Sequence, residues 1–287
     1  MIKKAVIPAA GWGTRFLPIT KSQPKEMIPV VDTPVIQYVV EEAVQSGITD
    51  ILIVVGRGKR AIEEHFDRNP LLEAALEAKH QFAEVEELRH ISDQAHIHFV
   101  WQQEMNGLGD AILCAKDHVG QEPFAVLLGD TILDGYGKPV TRQLMDVYEQ
   151  YQASVVALEQ VPAEKVQRYG IIDGVVLEDG VLQARDFVEK PSPDVAPSNL
   201  AIASRYVFTP AIFDYLERIP KGKNNEVQLT DAMRLMVREQ PMYGRRIDGI
   251  RYDLGNKLDF IKTNVIFGLR HEEIGPKLRE WLKDLCL

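Results

Sequence analysis

Cysteine is nearly absent: Cys114 and Cys286 are the only two in 287 residues. That excludes a disulfide framework and a cysteine-built zinc site, and it fits a reducing, cytoplasmic setting. Positive charge is not in excess either, since 33 lysines and arginines face 42 acids for a net charge of −9. A nucleic-acid partner, which calls for a basic face, is therefore not expected. No apolar run approaches the roughly 18 residues of a membrane span, so no membrane partner is expected. The apolar run after Met1-Ile2-Lys3-Lys4 stops at Gly11 and Arg15, too early for a secretory leader. No linker, low-complexity tract or internal repeat divides the chain.

Two familiar phosphate loops are also missing. The dinucleotide fingerprint needs a third glycine where Phe16 stands. A Walker A loop needs Gly-Lys-Ser/Thr, and the nearest stretch, Gly56-Arg57-Gly58-Lys59, runs into Arg60. What is present is Val6-Ile7-Pro8-Ala9-Ala10-Gly11-Trp12-Gly13-Thr14-Arg15, an apolar strand breaking into a glycine-rich loop. Lys3, Lys4, Arg15, Lys21 and Lys25 crowd its neighbourhood, with no acid among the first 25 residues. Backbone amides beside such a cationic cluster suit a polyphosphate. Read alone, Gly-x-Gly also fits a plain turn with surface cations.

Strand-like and helix-like segments alternate through the first half, which predicts βαβ units and a mostly parallel, Rossmann-like sheet flanked by helices. Thr33-Pro34 is expected to open a helix, with Thr33 as its cap, and Gly47 to end it. Asp50–Val55 reads as a buried strand, residues 59–67 and 70–91 as helices, and His96–Val100 and Phe124–Leu128 as strands. In such sheets ligands bind at the carboxyl ends of strands, so Asp130 and the Gly11 loop are expected to face one crevice. His96 and His98 share a strand face, but with no third ligand in view they read as structural.

The second half is expected to be β-rich, with strands at Ser154–Leu158, Ile171–Leu177, Val181–Val188 and Asn199–Phe208. Glu178-Asp179-Gly180 signals a hairpin between the middle two. Helices are expected at 139–151, 210–217, 228–239, 257–270 and 276–285. The chain reads as one continuous body: an amino-terminal part (about 1–134) that would bind nucleotide, a β-rich part (about 135–255) that would bind a second substrate, and C-terminal helices (about 256–287). The last helix gathers Leu278, Trp281, Leu282 and Leu285 on one face, for internal packing or a subunit contact.

Further short motifs follow in order: Pro24-Lys25-Glu26-Met27, Gln102 with Gly107, Leu127-Leu128-Gly129-Asp130, Tyr169-Gly170, Glu189-Lys190-Pro191, Pro197-Ser198-Asn199-Leu200-Ala201, Glu226-Val227-Gln228-Leu229-Thr230-Asp231 and Tyr252-Asp253-Leu254-Gly255. With Gly11-x-Gly13-Thr14-Arg15, this series resembles the sugar-1-phosphate nucleotidylyltransferases. Within them it is most similar to the bacterial UTP–glucose-1-phosphate uridylyltransferases, a branch that Ile36-Gln37-Tyr38-Val39-Val40-Glu41-Glu42-Ala43 favours over the thymidylyl one.

The resemblance implies an enzyme that converts UTP and glucose 1-phosphate to UDP-glucose and pyrophosphate, with Mg²⁺ as cofactor. It implies that Arg15 holds the β- and γ-phosphates, Lys25 meets the α-phosphate and Lys190 holds the sugar phosphate. Glu189, Gly170 and Asn199 would contact the sugar, while Ala10, Gly11 and Gln102 read the uracil edge and Gly13, Thr14 and Gly107 complete the nucleotide pocket. Asp130 and Asp253 would hold the metal, and homo-oligomers are implied as well. The sequence departs from the commoner pattern at Trp12, Trp101, Thr131 and Asn256. Use of dTTP or another sugar 1-phosphate, or a non-catalytic regulatory relative, stays open at this stage.

Overall fold

The computed structural model describes residues 1–178, 180–222 and 225–285, with Glu178 by its backbone alone. Asp179 of the hairpin signal and Cys286 fall outside these residues. In chain order the strands are β1 (Lys4–Pro8), β2 (Pro29–Val30), β3 (Thr33–Pro34), β4 (Asp50–Val55), β5 (His96–Trp101), β6 (Phe124–Leu127) and β7 (Thr131–Asp134). Then come β8 (Ser154–Gln160), β9 (Gly170–Glu178), β10 (Val181–Glu189), β11 (Leu200–Phe208), β12 (Met242–Arg246) and β13 (Ile250–Asp253). The helices are α1 (Val35–Gln45), α2 (Arg60–Phe66), α3 (Pro70–Glu77), α4 (Phe82–Asp93), α5 (Leu108–Leu113) and α6 (Lys116–Val119). They continue with α7 (Val140–Tyr151), α8 (Ile212–Arg218), α9 (Leu229–Met236), α10 (Lys257–Arg270) and α11 (Gly275–Asp284).

A nine-stranded mixed sheet runs β5-β4-β1-β6-β11-β8-β12-β10-β9. It is parallel from β5 through β6, as the alternating pattern of the first half predicts. Antiparallel pairing enters at β11 and, after the parallel β8–β12 pair, resumes at β10, which pairs antiparallel with both β12 and β9. The unbroken apolar runs follow from burial on both faces. Ile7, Ile51, Ile53 and Val55 pack toward α1 and α7, while Val6, Leu52 and Val54 pack toward α5, α8 and α9. Because β1, β4 and β6 run in parallel, their carboxyl ends share one rim, which carries the Gly11 loop, Gly56 and Gly129-Asp130.

At three places the local structure differs from what the sequence suggests. Thr33 does not cap α1: it pairs with Val30 in the short β2–β3 ribbon, Pro34 takes the cap position, and the Thr33 hydroxyl bonds Asp32 instead. The expected long helix 70–91 is two helices, parted at Ala78–Gln81 where His80 turns left-handed (φ 59°). This break folds α4 back on α3, where Arg89 Nε reaches Glu73 Oε2 at 2.8 Å. The third is β7, which pairs antiparallel with β13 in a ribbon that the sequence pattern did not suggest. Among the described residues no helix is long and apolar enough to cross a membrane.

Candidate active site

The loop after β1 is shaped by its glycines. Gly13 sits at φ 67°, and a Cβ there would lie 3.0 Å from Lys25 Cβ and 3.1 Å from Thr20 Cγ2, so only glycine fits. Thr20 Oγ1 donates to Gly13 O at 2.9 Å. Lys59 Nζ donates to Gly11 O at 2.7 Å and to Glu26 Oε2 at 2.7 Å, tying the loop to the short turn that carries Lys25. Lys59 and Glu26 are both buried. Burial lowers the Lys59 pKa and raises that of Glu26, against the attraction between them. Neither residue was assigned a role from sequence. The signals were the Gly56–Lys59 stretch, which fails as a Walker loop and yet sends its lysine to the glycine loop, and the place of Glu26 inside Pro24-Lys25-Glu26-Met27.

Ala10, Gly11, Gly13 and Thr14 form one wall of an open cleft of about 500 Å³. Gln102, Gly107 and Leu108 form another, with Lys25 and Asp130 between them. Lys25 Nζ lies 2.5 Å from Asp130 Oδ2 and 3.9 Å from Glu26 Oε1. Burial pushes Lys25 toward neutrality, but Asp130 and Glu26 outweigh it and its pKa rises. Burial likewise pushes the Asp130 pKa up, and Lys25 outweighs it and brings it down. Both groups are charged at neutral pH.

The Gln102 side chain is fixed by acceptors. Its Nε2 donates to Gly107 O at 3.1 Å and to Asp110 Oδ2 at 2.6 Å. With the amide hydrogens engaged, the carbonyl Oε1 is the atom left for a base edge. Gly107 is itself at φ 100°, and a Cβ there would sit 2.7 Å from Glu226 Cβ. Asp110, which sets the direction of the amide, went unnoticed in the sequence because a lone acid in a first helical turn usually serves the helix.

Asp130 is held by a buried ion pair behind it. Arg205 Nε and Nη2 donate to Glu42 Oε2 at 2.9 and 2.7 Å. Arg205 also donates to Thr131 O at 2.9 Å, while Glu42 Oε1 accepts from Thr141 N and Oγ1 at 3.0 and 2.7 Å. These bonds pin the backbone just after Asp130. The β7–β13 register then places Asp253 opposite Thr131. Asp253 Oδ1 accepts from Gly255 N at 2.9 Å, and Oδ2 accepts from the Tyr169 hydroxyl at 3.2 Å.

A second cluster lies at the end of the β9–β10 hairpin, where Gly170 pairs with Glu189. Glu189 Oε2 accepts from Thr230 Oγ1 at 2.7 Å, and Lys190 Nζ lies 3.0 Å from Glu189 Oε1. A Cβ on Gly170 would come 3.3 Å from Glu189 Oε2, so glycine keeps this carboxylate accessible. Lys190 holds φ 45°, a costly backbone for a side-chain-bearing residue, and its N donates to Tyr169 O at 3.0 Å. Asn199 stands exposed just before β11, with its carbonyl accepting from Val161 N at 2.9 Å. Arg15, also exposed, donates to Gly255 O at 3.2 Å. Of the sequence departures, Asn256 caps α10 by accepting from Asp259 N at 3.0 Å, while Trp12 and Trp101 are exposed near the cleft mouth and the strand end.

Asp130 and Asp253 supply hard carboxylate oxygens on neighbouring backbone segments. That donor set suits Mg²⁺, which takes one or two carboxylates and completes its shell with water and substrate phosphates. It does not suit zinc, which prefers nitrogen and sulfur.

A cleft lined by the Lys25 cation and by the glycine-rich loop after β1 suits a polyphosphate, which sets the chain among nucleotide-handling α/β proteins. The profile of the nucleotidyl transferase family matches residues 4–267. The UTP–glucose-1-phosphate uridylyltransferase YngB of Bacillus subtilis (strain 168) is 50% identical over 284 residues, covering 99% of this chain and 95% of the relative. A solved UTP-bound UGPase from Acinetobacter baumannii is 40% identical, covers 99% of this chain and 100% of its own, and superposes with a TM-score of 0.93. A UDP-glucose pyrophosphorylase solved with UDP-glucose is 43% identical over 94% of this chain and 100% of its own, at a TM-score of 0.87. The chain belongs to the nucleotidyl transferase family.

Proposed function

We propose that this transferase joins UTP and glucose 1-phosphate into UDP-glucose with release of pyrophosphate. The names of its relatives point to these substrates. The observation that carries the reading is a hydrogen-bonded path between the two clusters. It runs from Arg15 to Gly255 O, from Gly255 N to Asp253, from Asp253 to the Tyr169 hydroxyl, and from Tyr169 O to Lys190 N. A triphosphate on the Gly11 loop and a sugar phosphate at Lys190 would be held by one continuous frame, which two-anion in-line chemistry requires.

In that reaction an oxygen of the sugar phosphate forms a bond to the α-phosphorus while the bond to the β-phosphate oxygen breaks, and that electron pair leaves with pyrophosphate. Arg15 offers a planar fork to the leaving phosphates. Lys25 is cationic and meets the charge on the α-phosphate, with Asp130 holding its ammonium in place. Lys190 holds the attacking phosphate, Glu189 takes hydrogen bonds from sugar hydroxyls, and Gln102 Oε1 accepts from uracil N3–H. Asp130 and Asp253 are the residues that would hold Mg²⁺, which when bound neutralises phosphate charge.

The test is pyrophosphate release from UTP plus glucose 1-phosphate, with Mg²⁺ and then with EDTA. Release that needs both substrates and metal is expected. Release only with dTTP, or none with any pair from folded protein, would overturn the assignment. We take homo-oligomerisation and a cytoplasmic place as part of the same reading. Trp281 lies exposed on α11 and Leu285 just past its end, with Leu258 and Ile261 exposed on α10, as a subunit contact would need. Sedimentation of a Trp281→Glu variant checks it.

A further inference from the structure

At the opposite end of the parallel strands from the cleft, three side chains converge. Asp50 opens β4, His98 lies on the edge strand β5 and His118 on the short helix α6. One ligand atom from each lies within 4.8 Å of the others. His118 Nε2 is 2.8 Å from Asp50 Oδ1, and His98 Nε2 is 3.7 Å from that same oxygen. The imidazole rings stand 5.0 Å apart and tilted by 54°, so they are not stacked. The parallel register accounts for the meeting: Asp50 is opposite His96 and Leu52 opposite His98, which puts Asp50 and His98 on one face, and α6 packs on that face.

From this geometry we propose a site for one transition-metal ion of the zinc type, held by Asp50, His98 and His118. Tetrahedral zinc, with bonds near 2.0–2.2 Å, sets its donor atoms about 3.4 Å apart. The 3.7 Å pair already fits, and the 2.8 Å pair opens by about half an ångström as the metal replaces the hydrogen bond. Two imidazoles and a carboxylate select zinc, nickel or copper over Mg²⁺. His98 is exposed, so an entry path and a fourth position for water exist. The local scaffold is preset: Lys4 Nζ donates to His118 O at 3.0 Å and Val119 O at 3.3 Å and pairs with Glu122 at 2.7 Å, holding α6 against the sheet without occupying the three ligands.

In the sequence His96 and His98 share a strand face with no third ligand in view. The structure replaces His96 by His118 and adds Asp50. An ion here would tie the edge strand to its neighbour and to α6, far from the catalytic lysines.

The probe is Zn²⁺ itself, titrated calorimetrically into the full chain after EDTA treatment and its removal. One Zn²⁺ per chain is expected, with the melting temperature rising as ligand binds the folded state. His98→Ala and His118→Ala should each weaken binding by at least about tenfold and abolish the melting shift. An Asp130→Asn/Asp253→Asn variant should bind the ion as before, which separates this site from the cleft. Absence of stoichiometric binding, or binding that survives both histidine variants, would overturn the proposal. Because His98 is exposed, His98→Ala remains a valid test if His118→Ala folds poorly.

Discussion

Lys25 Nζ and Asp130 Oδ2 lie 2.5 Å apart across 105 residues of sequence, and each fixes the other's charge. Burial alone would drive both toward neutrality, yet the net shifts are upward for Lys25 and downward for Asp130. The cleft thus keeps a cation and an anion side by side at the pH where phosphates are fully charged.

The pH dependence of stability follows from the sign of these shifts. Asp130 has its pKa lowered from 3.8, so its contribution is present above that value and is lost as pH falls through the folded-state value. Lys25 has its pKa raised from 10.5, so its contribution is present below that value and is lost as pH rises through the folded-state value. The stability gap between the wild type and a Lys25→Met/Asp130→Asn variant should stay level from about pH 5 to 9 and narrow outside it. Urea unfolding across pH measures this, and a gap that slopes through neutrality would count against the pairing. In turnover, Lys25→Met should cost about 10²–10³ in kcat, the scale of one lost electrostatic stabiliser.

Asp110 holds the Gln102 amide and is not among the residues that line the cleft. Asp110→Ala removes the shorter of the two hydrogen bonds that hold Nε2 and leaves only Gly107 O, so the amide is held less firmly and can offer either end to the base. The expected result is a KM for UTP raised by about tenfold, one hydrogen bond's worth, with kcat nearly unchanged. Preference for UTP over CTP should shrink, because cytosine N3 accepts where uracil N3 donates. Selectivity that stays intact in Asp110→Ala would remove Gln102 Oε1 as the reader.

The Arg205–Glu42 pair is almost fully buried, which makes it costly to break singly. Arg205→Met should destabilise the fold by about 3–5 kcal/mol, since it strands the Glu42 carboxylate. Arg205→Met/Glu42→Leu should recover part of that loss. Denaturant midpoints of the single and double variants decide it, and strict additivity would mean that the two do not act as a unit.

Lys190 joins function to backbone strain. At φ 45° a glycine avoids the left-handed penalty, so Lys190→Gly should gain about 1 kcal/mol of stability. The same change removes the ammonium, so the KM for glucose 1-phosphate should rise at least about tenfold while the KM for UTP holds. Lys190→Ala should show the kinetic loss without the stability gain, and melting curves beside kinetics of both substrates test the two halves.

The sequence by itself determined the parallel half of the sheet, the glycine loop, and the expectation that Asp130 at a strand end faces that loop, where it meets Lys25 in one cleft. Apolar runs report burial on one or both faces, and a glycine at a strand end reports a backbone that must approach something closely; both are local signals. Tertiary structure alone decided which distant segments meet. Asp253 comes opposite Thr131, next to Asp130 in the chain, only because β13 pairs with β7, and Lys59 braces Gly11 only because α2 begins beside that loop. Asp110 and His118 belong to the same class, ordinary helix residues until another element is laid against them. Periodicity records how much of a residue is covered, whereas for Lys59, His118 and Asp253 the partner is set by closing loops of about fifty to more than a hundred residues, for which short-range pattern holds no register.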